Sequence, residues 1–182
     1  MYLISAYFDE NTNKILKHLQ QRIADKTGND FMIRNNVMPH LTISAIEARN
    51  IDVLIPEFEK VCRGKLQPLE EKSVANNTIN IVSVGQLFPR VIYAAPVLNE
   101  YMMNLSISIY NEFATIPETN ISKFYQPYSW MPHITLGKCL DKEQMRQAFA
   151  VLQDLFMPID GRITKIGLST VNPYREVMSV AL

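Results

Sequence analysis

The sequence carries one short phrase twice, and each copy contains a histidine and a threonine separated by one residue. The first copy is VMPHLTIS at residues 37–44, and the second is WMPHITLG at residues 130–137. Imidazole has an ordinary pKa near neutrality, so one histidine can accept a proton while another donates one. A threonine hydroxyl can donate a hydrogen bond to a phosphate oxygen without adding charge. Such a set could open a phosphodiester or a cyclic phosphate.

Strand geometry explains why the spacing matters. Successive side chains of a β-strand point to opposite faces, so His40 and Thr42 would share one face, as would His133 and Thr135. The proline before each histidine suits the first residue of a strand and favours an extended conformation in the methionine before it. If the two strands face each other across a cleft, a base, an acid and two hydroxyl donors would surround one phosphorus atom.

Histidines can also have structural or metal-binding roles. A single histidine in a strand is usually a hydrogen-bonded structural residue, but two matching copies are hard to assign to chance. The third histidine of the chain, His18, lies beside the apolar stripe of a predicted helix, where a structural or solvated role is expected. Zinc would need a third ligand, and no HxH or HExxH spacing occurs. No GxSxG elbow for a serine nucleophile occurs either. We therefore expect no metal and no cofactor.

The elements that must position the motifs follow from hydrophobic periodicity and from helix caps. Helices are predicted at 11–28, 52–64, 98–113 and 141–156, and strands at 2–8, 70–75, 78–85, 90–97, 163–171 and 176–182, besides the two strands that carry the motifs. Gly28 should end the first helix, and Pro56 should start or kink the second. Asp141 and Gln144 form a capping box for the last helix.

The order of these elements repeats. Each half reads strand, helix, histidine strand, helix, strand, strand, and the histidines are 133 − 40 = 93 positions apart. This order predicts one α+β domain over 1–182, made by internal duplication. Its two lobes, roughly 1–88 and 89–182, would be related by a pseudo-twofold axis, with the last strands as candidates for exchange between lobes.

Composition excludes several classes of protein. The chain has 182 residues, 47% of them hydrophobic, which suits one globular domain. Lys+Arg and Asp+Glu both number 18, so no overall field would hold long nucleic acid. No apolar run has the length of a membrane span or of a signal peptide's apolar region. We expect a cytoplasmic protein in which Cys62 and Cys139 are reduced thiols. The six glycines form neither GxGxxG nor a P-loop.

Paired HxT phrases in a duplicated α+β chain of this length resemble the two-histidine (2H) phosphoesterases, in particular the bacterial branch called 2′-5′ RNA ligase-like or RNA 2′,3′-cyclic phosphodiesterase. The segment SVGQLFPRVIYAAPV at 83–97 resembles the mid-chain loop of that family. The resemblance implies a fold of mainly antiparallel sheet, with outer helices around a central cleft. It also implies catalytic roles for His40, Thr42, His133 and Thr135, and metal-independent chemistry at a 2′,3′-cyclic phosphate or a 2′-5′ linkage.

Six further residues near the motifs are candidates for substrate binding: Arg34, Phe88, Arg90, Tyr125, Tyr128 and Trp130. The aromatic rings of the loop before the second motif could stack a base, as in single-strand binders, or could pack that loop down. Arg34 could contact a phosphate or be an ordinary surface arginine. The charge balance favours a small nucleotide or an RNA terminus as the partner. A non-catalytic nucleotide-binding module of the same fold is the alternative function, and oligomeric state is left open.

Overall fold

The computed structural model describes residues 1–64, 77–171 and 174–182. The strands in these ranges are β1 Tyr2–Phe8, β2 Leu41–Glu47, β3 Thr78–Leu87, β4 Val91–Pro96, β5 Asn120–Ile121, β6 Ile134–Lys138, β7 Ile159–Val171 and β8 Tyr174–Ala181. The helices are α1 Glu10–Thr27, α2 Phe31–Arg34, α3 Ile55–Gly64, α4 Glu100–Phe113 and α5 Lys142–Leu155. Every strand pair in the described ranges is antiparallel, which confirms the predicted α+β class.

Local sequence signals explain where the helices begin and end. Gly28 follows α1 with φ 68°, a left-handed conformation that costs glycine little. Asp141 and Gln144 form both bonds of the predicted capping box at the start of α5. Pro56 is the second residue of α3, where its missing N–H breaks no helical hydrogen bond. Proline therefore starts this helix and does not kink it.

The structure differs from the sequence-based expectation in two respects, and one predicted strand is not tested. Helix α2 and the short strand β5 were not predicted, because each is too short to show a period. The strand expected at 70–75 lies outside the described residues. Finally, β2 and β6 begin one residue after each histidine, so the prolines and histidines precede the strands and do not open them.

One strand, β7, links the two parts of the sheet that carry the motifs. The strand order is β5-β2-β1-β7-β3-β4-β6, and β8 also pairs with β7. Residues 159–162 of β7 pair with β3, whereas residues 163–170 pair with β1. Strand β3, from the first half of the chain, thereby pairs with β4 from the second half, and β7 from the second half pairs with β1 from the first.

The helices cover one face of this sheet and leave the other to the motifs. Helix α1 packs with α5 and β6, while α4 packs with α3 and β2. The apolar side chains of the covered face include Ile4, Ala6, Leu41, Ile92 and Ile134, all 0% exposed. By strand alternation, the neighbours of these residues on the opposite face include the motif side chains. Among the described residues, no helix is long and apolar enough to cross a membrane.

Candidate active site

The two motif histidines are held in the same way. Nδ1 of His40 lies 2.7 Å from the carbonyl oxygen of Met38, and Nδ1 of His133 lies 2.9 Å from that of Met131. A carbonyl oxygen can only accept, so Nδ1 carries the proton in each ring. The other nitrogen, Nε2, is then the one left to accept a proton from a ligand or, when protonated, to donate one.

A β-bulge follows each threonine. Thr42 and Ser44 pair with successive residues of β1, so Ile43 between them is the extra residue. In β6 the extra residue is Leu136, directly after Thr135. Bulges bend a strand and re-aim its side chains, and they are frequent beside active sites. The two motifs therefore share a backbone irregularity as well as a sequence.

Side chains from other elements bind the backbone carbonyls of both motif threonines. Trp130 Nε1 donates to the Thr42 carbonyl over 3.0 Å, and Gln20 Nε2 donates to the Thr135 carbonyl over 3.1 Å. Both donors are buried, at 6% exposure for the tryptophan and 2% for the glutamine. Trp130 is the first residue of the second phrase, so its bond to Thr42 ties the two motifs together.

Two rows of directly paired residues cross the sheet at the motifs. Their members are Thr42, Ser5 and Gly167 in one row, and Thr135, Tyr93 and Gly85 in the other. Each glycine makes room for a tyrosine ring. A Cβ atom on Gly85 would lie 2.5 Å from the Tyr93 oxygen, and one on Gly167 would lie 2.9 Å from Cε2 of Tyr7.

These tyrosines border the histidines. The ring centroids of Tyr7 and His40 lie 6.2 Å apart, and Tyr174 stacks on His40 at 6.4 Å with an interplanar angle of 21°. On the other side, Tyr93 meets His133 edge-on at 5.7 Å. Sequence reasoning missed all three tyrosines. Strand alternation in β1 could have identified Tyr7, since it lies two residues after Ser5 and therefore on the face opposite Ile4 and Ala6.

Burial and nearby cations set the electrostatics of the site. Burial lowers the pKa of His40 most, and the positive charges of His133 and Lys138 lower it further, against the hydrogen bond to Met38, which raises it. Burial also lowers the pKa of His133, against its bond to Met131. Because the charge of His133 acts on His40, the two imidazoles are within electrostatic range of each other.

Lys138 is a basic residue that sequence reasoning did not assign to the site. Strict alternation after His133 and Thr135 would place Lys138 on the buried face with Ile134. The bulge at Leu136 shifts that alternation by one residue and returns Lys138 to the motif face. A lysine at a nominally buried position of a strand was the signal for this shift.

The basic candidates from the sequence lie away from the imidazoles. Arg34 is exposed and pairs with Asp30 at 3.6 Å. Arg90 lies beside Lys138, at the opposite end of β6 from His133, and its guanidinium donates to the carbonyls of Leu140 and Cys139. The neighbouring Phe88 is 73% exposed in the turn between β3 and β4. The structure thus brings neither arginine into contact with a motif histidine in the positions described.

The aromatic candidates separate into buried and exposed rings. Trp130 is buried and bonded to Thr42, and Tyr125 packs against the core, where burial raises the pKa of its phenol. Tyr128 is 84% exposed and has φ 66°, a rare conformation for a bulky side chain. Phe124 is 58% exposed, with Lys123 Nζ 5.3 Å from its ring centroid. Tyr128 and Phe124 are therefore the rings of this loop open to a ligand.

The described ranges contain no group of three or more His, Cys, Asp or Glu side chains arranged to hold a metal ion. Both cysteines are free thiols, and burial raises the pKa of Cys62 to about 11. The cysteine side chains therefore add neither a metal ligand set nor a disulfide to this part of the chain.

Comparisons with known proteins identify the family. Residues 16–172 match the family model described as the 2′-5′ RNA ligase superfamily. A comparison with curated protein sequences finds no significant match. Among solved structures, Kluyveromyces marxianus Usb1 with uridine monophosphate aligns over all of this chain and 96% of its own, at 13% identity and a TM-score of 0.45. Kluyveromyces marxianus Usb1 in a second structure gives 9% identity, the same coverage and a TM-score of 0.45. Since the family model matches most of the chain, including both HxT phrases, the chain belongs to the 2′-5′ RNA ligase superfamily of two-histidine phosphoesterases.

Proposed function

We propose that this protein is a metal-independent phosphodiesterase that hydrolyses 2′,3′-cyclic phosphates, with His40, Thr42, His133 and Thr135 as its catalytic residues. One observation carries the proposal. Two HxT motifs lie on the uncovered face of one sheet, with both Nδ1 atoms hydrogen-bonded to carbonyls and with His40 within electrostatic range of His133. General acid–base catalysis needs such a pair, one ring neutral and one protonated.

We assign the base to His40 and the acid to His133. Repulsion between the two imidazoles is mutual and disfavours a proton on both at once, and the charge of Lys138 adds to the burial of His40, so we take His40 as the neutral member of the pair. Its Nε2 takes a proton from the attacking water as the water oxygen bonds to phosphorus. His133 gives its Nε2 proton to the departing ribose oxygen as the P–O bond breaks. The product is a phosphomonoester, and exchange of protons with solvent then restores a neutral His40 and a protonated His133.

The remaining polar groups act on the phosphate. The hydroxyls of Thr42 and Thr135 are donors for the non-bridging oxygens, where negative charge grows in the transition state. Lys138 is a cation on the motif face that could attract the phosphate, since its charge already acts on His40. An anionic phosphate between the imidazoles would also favour the protonated form of His133, which the free enzyme disfavours through burial.

The proposed substrate is a small cyclic nucleotide or the cyclic end of an RNA. The equal numbers of basic and acidic residues give no field for long nucleic acid. The exposed rings of Tyr128 and Phe124 could stack a base next to the cyclic phosphate. If a ribose 5′-hydroxyl replaced the attacking water, His40 would take its proton, the 5′ oxygen would bond to phosphorus, and the 3′ oxygen would leave with the proton of His133, so 2′-5′ ligation is a proposed side activity.

Pseudo-symmetry of the two halves supports the same proposal. The rows Thr42–Ser5–Gly167 and Thr135–Tyr93–Gly85, and a bulge after each threonine, are the relations expected of a duplicated chain. We infer two lobes that each contribute one HxT to a shared cleft. A nucleotide-binding module that performs no turnover is the second candidate, and the intact pair of motifs favours the enzyme.

The test uses purified protein with 2′,3′-cyclic mononucleotides and with oligonucleotides that end in a cyclic phosphate. We expect turnover to a monoester whose 2′ or 3′ position is then determined, unchanged by a chelator. The matched control is His18→Ala, which removes the histidine outside the motifs and should retain full activity. Binding without turnover would favour the non-catalytic module. Loss of activity with a chelator, restored by added metal, would replace the proposed mechanism by metal-activated water.

The pH dependence of kcat/KM gives a further prediction. Only enzyme with one neutral and one protonated imidazole is active, so the profile should be bell-shaped, with two pKa values that belong to the pair. Burial lowers both histidine pKa values, so the bell should lie on the acidic side of ordinary imidazole titration, which is near pH 6.5. A profile that rises to a plateau above about pH 8 would contradict the need for a protonated histidine.

A further inference from the structure

The His40 side of the site is completed by a strand beyond the family match. The match ends at residue 172, whereas β8 spans Tyr174–Ala181. Strand β8 pairs with β7 in a register that sets Tyr174 opposite Val171 and Ser179 opposite Gly167. Since Gly167 also pairs with Ser5, beside Thr42, this face of β8 continues the motif face of the sheet.

Tyr174 is fixed in position over His40. Its ring is nearly parallel to the imidazole, at 21°, with the centroids 6.4 Å apart. Its hydroxyl shares a hydrogen bond of 2.6 Å with the hydroxyl of Tyr7, which is 5% exposed and is itself 6.2 Å from the imidazole. Two tyrosines from different strands, joined by their hydroxyls, thus border one ring. His133 instead meets Tyr93 edge-on, and the Tyr93 hydroxyl reaches the sulfur of Met131 at 4.0 Å.

We propose that Tyr174 is a positioning residue for His40: anchored by Tyr7, it stacks on the imidazole, shields it from water, and holds the ring with Nδ1 on the Met38 carbonyl and Nε2 left for the substrate. Tyr174 lies on the C-terminal strand β8, beyond the residues that the family model matches. A catalytic role for this positioning rests on the proposed function. The effect of Tyr174 on the His40 imidazole does not depend on that function.

The groups that face His40 explain what the two tyrosines do. From β1 comes Tyr7, from β8 comes Tyr174, and from the β6 side come the cations of His133 and Lys138. Burial raises the pKa of Tyr7 and keeps its phenol neutral. Removing Tyr174 therefore changes the solvation of His40 without changing the charge around it. Water would then favour the protonated ring, and the pKa of His40 would rise towards its ordinary value.

Histidine NMR can measure this effect directly, because the chain has three histidines and each signal can be assigned with a His→Gln variant. We expect Tyr174→Leu to raise the pKa of His40 and to mix its two neutral tautomers. Tyr174→Phe keeps the stacked ring and loses the bond to Tyr7, so it should have a smaller effect of the same sign. Tyr93→Leu is the matched control, which should shift His133 more than His40. His18 should be unaffected in every variant.

Two outcomes would overturn the inference. One is an unchanged pKa and tautomer of His40 in Tyr174→Leu; the other is a shift of equal size at His18, which would indicate a global change. If Tyr174→Leu fails to fold, Tyr174→Phe decides the question, and an unchanged His40 in that variant overturns the inference. The titration needs no turnover. A His40-specific shift in a protein that cleaves no cyclic phosphate would uphold the role of Tyr174 while refuting the proposed function.

Discussion

The first motif, His40 and Thr42, and the second, His133 and Thr135, share their backbone and differ in their surroundings. Both histidines donate Nδ1–H to the carbonyl two residues earlier, and both threonines precede a bulge. Thr42 is 8% exposed, however, whereas Thr135 is half-buried. Two tyrosines border His40, while an edge-on Tyr93 meets His133.

This difference teaches how a duplicated site can acquire two roles. A symmetric pair of histidines would have equal proton affinities, and neither would be the preferred acid or base. In this chain burial lowers the pKa of both histidines and their repulsion is mutual, whereas the charge of Lys138 acts on His40 in addition. Small differences in packing and charge are sufficient to separate the two roles. Substitutions around His40 and around His133 can measure how much packing and charge contribute to separating the two roles.

The largest effect should come from the histidines. Removing either imidazole, as His40→Ala or His133→Ala, should lower kcat by roughly 10²–10⁴-fold, the usual contribution of a general acid or base. The double variant should be little worse than either single one, because the pair acts as a unit. Single-turnover rates with a cyclic mononucleotide measure this. Full activity in either single variant would contradict the assignment of an acid and a base, since the missing imidazole would then have no catalytic role.

The threonines should matter less than the histidines. Thr42→Val and Thr135→Val keep the β-branched shape and remove the hydroxyl, so the free energy of unfolding should change little. Activity should fall by about tenfold to a hundredfold, as expected when a hydrogen bond to a charged oxygen worth about 1.5–3 kcal/mol is lost. Steady-state kinetics and denaturant unfolding on the same preparations separate the two effects. Wild-type rates in the double valine variant would refute the phosphate-binding role.

Lys138 should have a smaller effect, and the matched control is Lys165. Lys165 pairs with Glu176 at 2.8 Å and lies over the ring of Tyr7, so its charge is already compensated. Lys138→Met should raise the pKa of His40 and raise KM about two- to fivefold, since an exposed charge contributes up to about 1 kcal/mol. Lys165→Met should change KM less. Equal increases in KM in both variants would show that substrate binding depends on the total charge of the protein and not on the position of Lys138.

The smallest effect should be on stability. The folded state holds the pKa of His40 below its ordinary value, so below about pH 6.5 the unfolded chain binds more protons than the folded one. The contribution of His40 to stability should therefore be complete above about pH 6.5 and should be lost as the pH falls through the folded-state pKa. His40→Gln should flatten this slope between about pH 7 and pH 5, and His133→Gln should flatten it in the same direction, since burial lowers both pKa values. Urea unfolding at several pH values measures both slopes, and a steeper slope in His40→Gln would contradict the direction of the pKa shift.

Much of the chain could be predicted from local sequence because local interactions decide it. Gly28 ends α1 through its own backbone freedom, and Asp141 starts α5 through a bond to a residue three positions away. The paired HxT spacing predicted which side chains share a face. That prediction holds within each motif, because His and Thr precede the bulge that would have disturbed it. Just beyond the bulge the alternation fails, and Lys138 was missed for that reason.

Periodicity, caps and a repeated phrase are properties of neighbouring residues, so most of the longer elements, the family and the two motifs could be predicted from the sequence alone. The tertiary structure decided what surrounds each histidine. Tyr174 lies 174 − 40 = 134 positions from His40 in the chain, and Trp130 lies 88 from the carbonyl it binds. Contacts at such separations depend on strand order and register, which no local pattern encodes. The two similar phrases could therefore be found in the sequence. The different surroundings of His40 and His133 could be seen only in the folded chain.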